Sequence, residues 1–357
     1  SCVRCHSRPV LVGPDMILRL LFVLAVIVLL TAAAAWEVQR RWTTPLNIGE
    51  EGYLLTVDAG ETLRSVAERL QRDGVFADPW LLRGYGRWSG ADQKIRRGEY
   101  RVPSGTTPGS LLLLLERGKV IQYQVTLPEG ITLAAALAVL AAQEPLRREL
   151  DGPADPRLLE LVKPAESAEG QFFPDTYHYD RGVSDWQILQ RAHKAMQQAL
   201  ASEWSERAPG LPYETPYEAL IMASIIERET GLEEERGQIA GVFVRRLKKG
   251  MRLQTDPTII YGLGADFDGN LTRRHLADDS NPFNTYRHDG LPPSPIALPG
   301  RAAIRAALHP EDGDALFFVA RGDGGHVFSA TLAEHERAVR KYQLSRRDDY
   351  RSSPGKN

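Results

Sequence analysis

From Leu20 to Ala35 the chain reads L-L-F-V-L-A-V-I-V-L-L-T-A-A-A-A, an uncharged stretch preceded by Ile17 and Leu18 and followed by Trp36. Some 18 to 20 helical residues, at about 1.5 Å each, cross most of a ~30 Å hydrocarbon layer, and a tryptophan suits its edge. Residues 16–36 are therefore predicted to form a transmembrane helix. The alanine-rich end also offers a small-residue cleavage site of the secretory type, but the run exceeds the usual signal core and favours an uncleaved anchor. Arg4, Arg8 and Arg19 precede the run while Arg40 and Arg41 follow it, so charge bias alone leaves the orientation open.

After a Pro-containing linker (37–52) the pattern shortens. Tyr53–Val57 reads as a strand, Thr62–Gln71 places Leu63, Val66, Ala67 and Leu70 at helical spacing, and Glu99–Val102 returns as a strand. Thr107 and Pro108 open a leucine-rich helix that ends near Gly118. These elements predict a small α/β module over 53–124. From 125 to 344, helical patterns at Ala134–Gln143 and Ser184–Trp204 join short strands at Ala315–Val319 and His326–Ser329, and a polar tail (345–357) follows. The fold class is α+β.

Chemistry concentrates between Ala223 and Gly264. Thr215 caps a helix, Pro216 suits its first turn, and Glu218 stands where a capping box needs it. In that helix Leu220, Ala223, Ser224 and Glu227 fall at i, i+3, i+4 and i+7, so the Glu227 carboxyl shares a stripe with small and apolar side chains. Partial desolvation disfavours the carboxylate and lets a glutamic acid hold a transferable proton near neutral pH. On spacing alone the position suits an ordinary ion pair with Arg228 equally well. Glu229, with Ile225 and Ile226 at i−4 and i−3, lies on a different stripe. Further on, Thr255, Asp256 and Pro257 read as a turn, and Pro292, Pro293, Pro295 and Pro299 force an extended loop after Asn281–Tyr286.

A length of 357 residues suggests two domains, and 44 basic against 46 acidic side chains gives a net charge of −2. That balance argues against a nucleic-acid binder, which needs a basic surface. Both cysteines lie in C-V-R-C-H (Cys2–His6), as a string a haem-attachment motif. It precedes the anchor and no haem domain follows, so Met16 is the expected start and residues 1–15 are upstream read-through or a tail ahead of the anchor. The histidines are scattered without metal-ligand pairing, and neither a P-loop nor a G-x-S-x-G elbow occurs. Neither metal nor cofactor is predicted. His326 in G-G-H-V-F-S reads as a structural histidine, and Tyr261 as a core aromatic.

The chain resembles the YceG-like family of membrane-anchored endolytic murein transglycosylases over roughly Tyr53 to Arg346. The likeness rests on A-S-I-I-E-R-E-T (Ala223–Thr230), V-F-V-R-R-L (Val242–Leu247), G-M-R-L-Q-T-D-P-T-I-I-Y-G (Gly250–Gly262), N-P-F-N-T-Y (Asn281–Tyr286), G-L-P-P-S-P-I (Gly290–Ile296) and G-G-H-V-F-S (Gly324–Ser329). An earlier stretch, E-G-Q-F-F-P-D-T-Y (Glu169–Tyr177), matches too.

The resemblance implies Glu227 as the catalytic acid. It implies Glu229, Gln254, Thr255, Asp256, Asn281, Asn284, Thr285, Tyr286 and Ser294 as substrate contacts. It also implies a LysM-like character for 53–124, a catalytic domain at 125–344, a cytoplasmic N-terminus, and a periplasmic bulk on a single-pass inner-membrane anchor. The partners would be peptidoglycan glycan strands, the cytoplasmic membrane and peptidoglycan synthases. The reaction would be non-hydrolytic cleavage of the β-1,4 bond between N-acetylmuramic acid and N-acetylglucosamine. Two rivals stay open: a lysozyme-like hydrolase with Glu229 or Asp256 as second carboxylate, and a non-catalytic wall-binding scaffold.

Overall fold

The computed structural model of the protein describes residues 14–344, so C-V-R-C-H and the polar tail lie outside the described residues. The chain divides into two compact units that meet at Gln122 and Tyr123.

The first unit opens with α1 (Pro14–Thr43), long and apolar enough to cross a membrane and with none of its apolar stretch buried against the protein. This helix runs about two turns past the expected span, through what was expected to be linker. The reason is local. Glu37 pairs with Arg40 at 2.7 Å and Arg41 at 2.8 Å, the i,i+3 and i,i+4 spacings that extend a helix. Strand β1 (Tyr53–Val57), helices α2 (Leu63–Arg72) and α3 (Pro79–Ser89), strand β2 (Gly98–Val102) and helix α4 (Pro108–Arg117) follow.

The two strands pair antiparallel with Tyr53 opposite Val102 and Val57 opposite Gly98. This register turns Leu55, Val57, Tyr100 and Val102 into a core closed by Leu63, Val66, Ala67 and Leu70 of α2. Helix α3 escaped the periodicity reading because glycine inside a helix costs about 1 kcal/mol against alanine and Gly84 and Gly86 weaken its pattern. Gly86 has a packing reason, since a Cβ there would meet Leu63 Cδ2 at 2.2 Å.

The second unit contains β3 (Gln122–Thr126), α5 (Leu133–Ala141), α6 (Pro156–Val162), β4 (Thr176–Asp180), α7 (Asp185–Ser205), α8 (Pro216–Glu229), α9 (Glu233–Lys248), α10 (Asp256–Leu263), α11 (Arg273–Ala277), α12 (Arg301–Leu308), β5 (Phe317–Ala320), β6 (His326–Ser329) and α13 (Leu332–Val339). Its sheets are two-stranded, β3 with β4 and β5 with β6, the latter antiparallel with Phe317 opposite Ser329. Helix α8 is the hub. Every residue from Ala219 to Ile226 is buried, and α7, α9, α10 and α12 pack around it. A helix apolar on all sides belongs inside a domain, and each large side chain so buried contributes roughly 1.5–3 kcal/mol.

Two local expectations need correction. Thr215 does accept the Glu218 N–H, but the Glu218 carboxylate accepts from Glu214 N at 2.6 Å, so no reciprocal capping box closes. Thr255, Asp256 and Pro257 open α10 instead of forming a turn, with Thr255 at the cap position and proline in the first turn, where it lacks only an orphan N–H.

Candidate active site

Helix α8 delivers Glu227 and Glu229 in its last turn, where the negative end of the helix dipole disfavours both carboxylates. The Glu227 side chain is only 6% exposed. Its Oε2 accepts Gly300 N–H at 3.0 Å, and its Oε1 lies 3.2 Å from Nη2 of Arg236 on α9. Burial raises the proton affinity of Glu227, aided by Glu129 and opposed by Gly300 N–H and Arg236. The resulting carboxyl can hold a proton, and two donors are already aimed at the anion it leaves behind. Glu129 also stands 3.9 Å from Arg236, and its carboxylate fills the space beside Gly300, where a Cβ would come within 1.8 Å of it.

Glu229 takes a different set of partners. It accepts from Thr255 Oγ1, and burial pushes its pKa up to about 7, with the Thr255 hydroxyl opposing and Asp256 adding to the rise. Tyr286 donates its hydroxyl to Asp256 Oδ1 at 2.8 Å. Glu229, Thr255, Asp256 and Tyr286 thus form one polar cluster at the start of α10. The preceding Gln254 has φ +52, a left-handed backbone that costs a non-glycine residue on the order of 1 kcal/mol. It is held there by Gln254 N–H on Thr285 O at 3.1 Å and by Arg246 Nη1 on Gln254 Oε1 at 3.2 Å.

Each of the remaining expected contact residues carries hydrogen bonds within the fold. Asn284 is fully buried, donating Nδ2 to the carbonyls of His275, Leu276 and Asp278 and accepting Tyr286 N–H at 3.0 Å. Asn281 accepts Phe283 N–H at 3.0 Å and is buried. Thr285 accepts Thr255 N–H at 3.0 Å, and Ser294 donates to the Pro295 carbonyl at 3.0 Å. These side chains use polar atoms to hold loops in place. Buried polar groups must be satisfied, and here the protein satisfies them itself.

A cleft of about 790 Å³ opens beside this region, lined by Thr132, Leu133, Glu169, Arg228, Ile260 and Tyr261 among others. The Glu227 carboxyl is not on its wall. It lies next to the lining residue Gly130, where a Cβ would sit 3.7 Å from Glu227 Cγ. Glu169, absent from the expected site, accepts Leu133 N–H at 2.8 Å and the Tyr261 hydroxyl at 3.2 Å. Burial pushes its pKa up to about 7 against those donors. Its signal was present in E-G-Q-F-F-P-D-T-Y. Arg236 and Gly300 had none, because only the tertiary fold brings them to Glu227. Arg246 was likewise unforeseen as a buried clamp, donating to Leu316 O at 2.7 Å and to Arg252 O and Leu253 O at 2.9 Å. His326 pairs with Glu235 of α9 at 2.8 Å.

The profile of the YceG-like family matches residues 55–341, which include both glutamates and every partner named above. The chain belongs to the YceG-like family. A relative from Bacillus subtilis (strain 168), named endolytic murein transglycosylase, is 30% identical over 313 residues, covering 82% of this chain and 86% of the relative. A Streptococcus pneumoniae (serotype 2, strain D39) protein of the same name is 26% identical over 337 residues, covering 85% of this chain, which spans 60% of that relative's length. The 2.6 Å crystal structure of a YceG-like protein from Listeria monocytogenes aligns with a TM-score of 0.53 at 28% identity, covering 81% of this YceG-like chain and 99% of that one.

Proposed function

We propose that this YceG-like protein is an endolytic murein transglycosylase with Glu227 as its acid and base. The observation that carries the reading is the Glu227 carboxyl, whose burial raises its proton affinity while Arg236 and Gly300 N–H face it and stabilise its anion. In the first step Glu227 gives its proton to the glycosidic oxygen as the bond from muramic acid C1 breaks, freeing the N-acetylglucosamine 4-hydroxyl. In the second the muramic acid C6 hydroxyl attacks C1, its proton passes to the Glu227 carboxylate, and a 1,6-anhydro ring closes. The nucleophile is tethered to the sugar, so proximity replaces a second protein carboxylate.

The same reading makes α1 an uncleaved inner-membrane anchor with the remainder in the periplasm. The enzyme would cut nascent strands near the synthases and so end their elongation. The β1-α2-α3-β2 order supports a LysM-like first unit. A second reading, hydrolysis, draws on the Glu229–Asp256–Tyr286 cluster, which offers further carboxyls to activate water. Mass spectrometry of purified glycan strands digested by the protein separates the two. A product lighter by one water, with an anhydro end, supports transglycosylation, whereas an ordinary reducing end assigns hydrolysis.

A further inference from the structure

The first unit carries an aromatic surface that the proposed chemistry does not use. On α3, Trp80, Gly84 and Trp88 recur at i, i+4 and i+8, so two tryptophans, 52% and 81% exposed, flank a gap on one stripe. Tyr85 stands beside them, its ring 4.4 Å from Trp42 of α1 and 5.6 Å from Trp88. A groove of about 560 Å³ results, and its other wall is α1 itself, at Val38, Gln39 and Trp42. The joint is firm: Arg41 pairs with Asp78, the residue before α3, at 2.6 Å, and a Cβ on Gly109 would meet the Trp42 indole at 2.9 Å.

Position along α1 decides what faces this groove. Trp36 closes the apolar run, and Val38 to Trp42 lie roughly 3 to 9 Å farther along the axis at 1.5 Å per residue. The headgroup layer of one leaflet is about 5–7 Å deep, and interfacial helices bury their apolar faces about 5–10 Å into the headgroup and acyl boundary. Tryptophan and tyrosine concentrate at that depth because one end of each ring system is apolar and the other polar. Arg83 and Arg87, both exposed and one turn apart on α3, add cationic charge beside the aromatic stripe, which suits lipid phosphate.

We propose that α3 lies in the lipid headgroup layer, its Trp80–Trp88 groove holding phospholipid against the emerging anchor. The aromatics then form a second membrane contact that fixes the orientation of the first unit on the bilayer surface. A glycan strand is a poorer occupant, since the groove opens within headgroup depth of the hydrocarbon edge. The inference rests on α1 crossing the membrane, and the test separates the two.

The full chain is reconstituted in phosphatidylcholine–phosphatidylglycerol vesicles, with matched vesicles whose acyl chains are brominated near the headgroup, and retention through an alkaline carbonate wash is scored alongside tryptophan quenching. The expected result is a carbonate-resistant protein in which W80F/W88F loses about half of the bromine-quenched emission, two of the four tryptophans near the bilayer having been removed, while W186F loses none. Equal quenching of W80F/W88F and the unsubstituted chain, with both resistant to carbonate, overturns the inference and leaves the anchor intact. Protein washed from the vesicles overturns the anchor itself and the inference with it. N-acetylglucosamine oligomers that shift Trp88 emission in brominated vesicles that do not quench it would reassign the surface to glycan.

Discussion

Arg236 Nη2 stands 3.2 Å from Glu227 Oε1, with the two side chains 11% and 6% exposed. A guanidinium this close to a buried acid works on its two protonation states unequally. It opposes the rise in proton affinity that burial causes, and it stabilises the carboxylate formed once the proton has left. Gly300 N–H does the same from the other oxygen at 3.0 Å. The balance suits a group that must first give a proton and then take one.

Arg236→Met should therefore move the basic limb of the pH–rate profile to higher pH. Removing the cation raises the Glu227 pKa further, so the protonated form survives to higher pH, while turnover at the optimum falls because the anion has lost a donor. Rates on purified glycan across the pH range, with circular dichroism to confirm folding, test this. A limb that stays in place or moves to lower pH excludes Glu227 as its source.

Glu227→Gln should fold and bind glycan with turnover lowered by at least ~10²-fold, the lower scale of general acid–base catalysis. Glutamine keeps the shape and accepts from Gly300 N–H but carries no transferable proton. Glu229→Gln, with its separate partner Thr255, should be milder. An active Glu227→Gln protein would falsify the assignment, and inactive Glu229→Gln with active Glu227→Gln would transfer the role.

How much of this was legible beforehand depends on how local each cause is. The Thr215 cap of α8 and the α2 core stripe follow from spacing, because a helix face is set within two turns, whereas spacing left Glu227 open between a desolvated acid and an ordinary ion pair. Helix α3 was not legible, since two glycines and three large aromatics obscure its period. Arg236 and Gly300 were not legible as partners of Glu227 because they lie nine and 73 positions away. The asparagines of N-P-F-N-T-Y also carry bonds that the motif alone does not reveal, Asn284 to carbonyls of α11 and to Tyr286 N–H, and Asn281 to Phe283 N–H. Polarity in a motif marks a need for hydrogen bonds, and only the fold shows whose need it is.

Gly300→Ala tests the convergence on Glu227 by steric means. The added methyl would overlap the Glu129 carboxylate at 1.8 Å, so Glu129 must swing away or the Gly300 N–H must leave Glu227. Loss of one donor to a catalytic anion costs about 10²–10³ in turnover where it is best documented, and a partial shift should cost at least ~10-fold. Gly300→Ala with Glu129→Ala should recover part of the loss. Single-turnover rates of both variants decide it, and equal rates in the two would show that the methyl acts elsewhere.

Asn284→Ala should act through stability more than chemistry. The substitution removes the Nδ2 donor shared among the His275, Leu276 and Asp278 carbonyls and the acceptor of the Tyr286 N–H, at about 1–3 kcal/mol for each group left unsatisfied. The urea midpoint should fall clearly, while activity per folded molecule drops less than in Glu227→Gln. Asp256→Asn, at an exposed position, should leave the midpoint nearly unchanged and weaken turnover modestly through the Tyr286 contact. An Asn284→Ala protein of full stability and no activity would instead return Asn284 to the substrate.

Stability should also fall as pH rises, and Glu169 is the cleanest probe of why. Its pKa stands at about 7 in the fold against an ordinary value of 4.5, because burial penalises the carboxylate more than Leu133 N–H and Tyr261 relieve it. A raised folded pKa means that the native state binds the proton more tightly than the unfolded chain. The contribution is complete below about pH 4.5, declines through the window up to about 7, and is gone above it, a change on the order of 3 kcal/mol for a shift of this size. Glu229, also at about 7, adds in the same direction. Urea titrations at about pH 5 and pH 8 should show a lower midpoint at pH 8 for the unsubstituted protein. Glu169→Gln, which keeps an acceptor for Leu133 N–H and never ionises, should narrow that difference and be the more stable of the two at pH 8. If Glu169→Gln instead loses stability equally at both pH values, its carboxyl is already ionised in the fold at pH 5, with Leu133 N–H and Tyr261 outweighing burial.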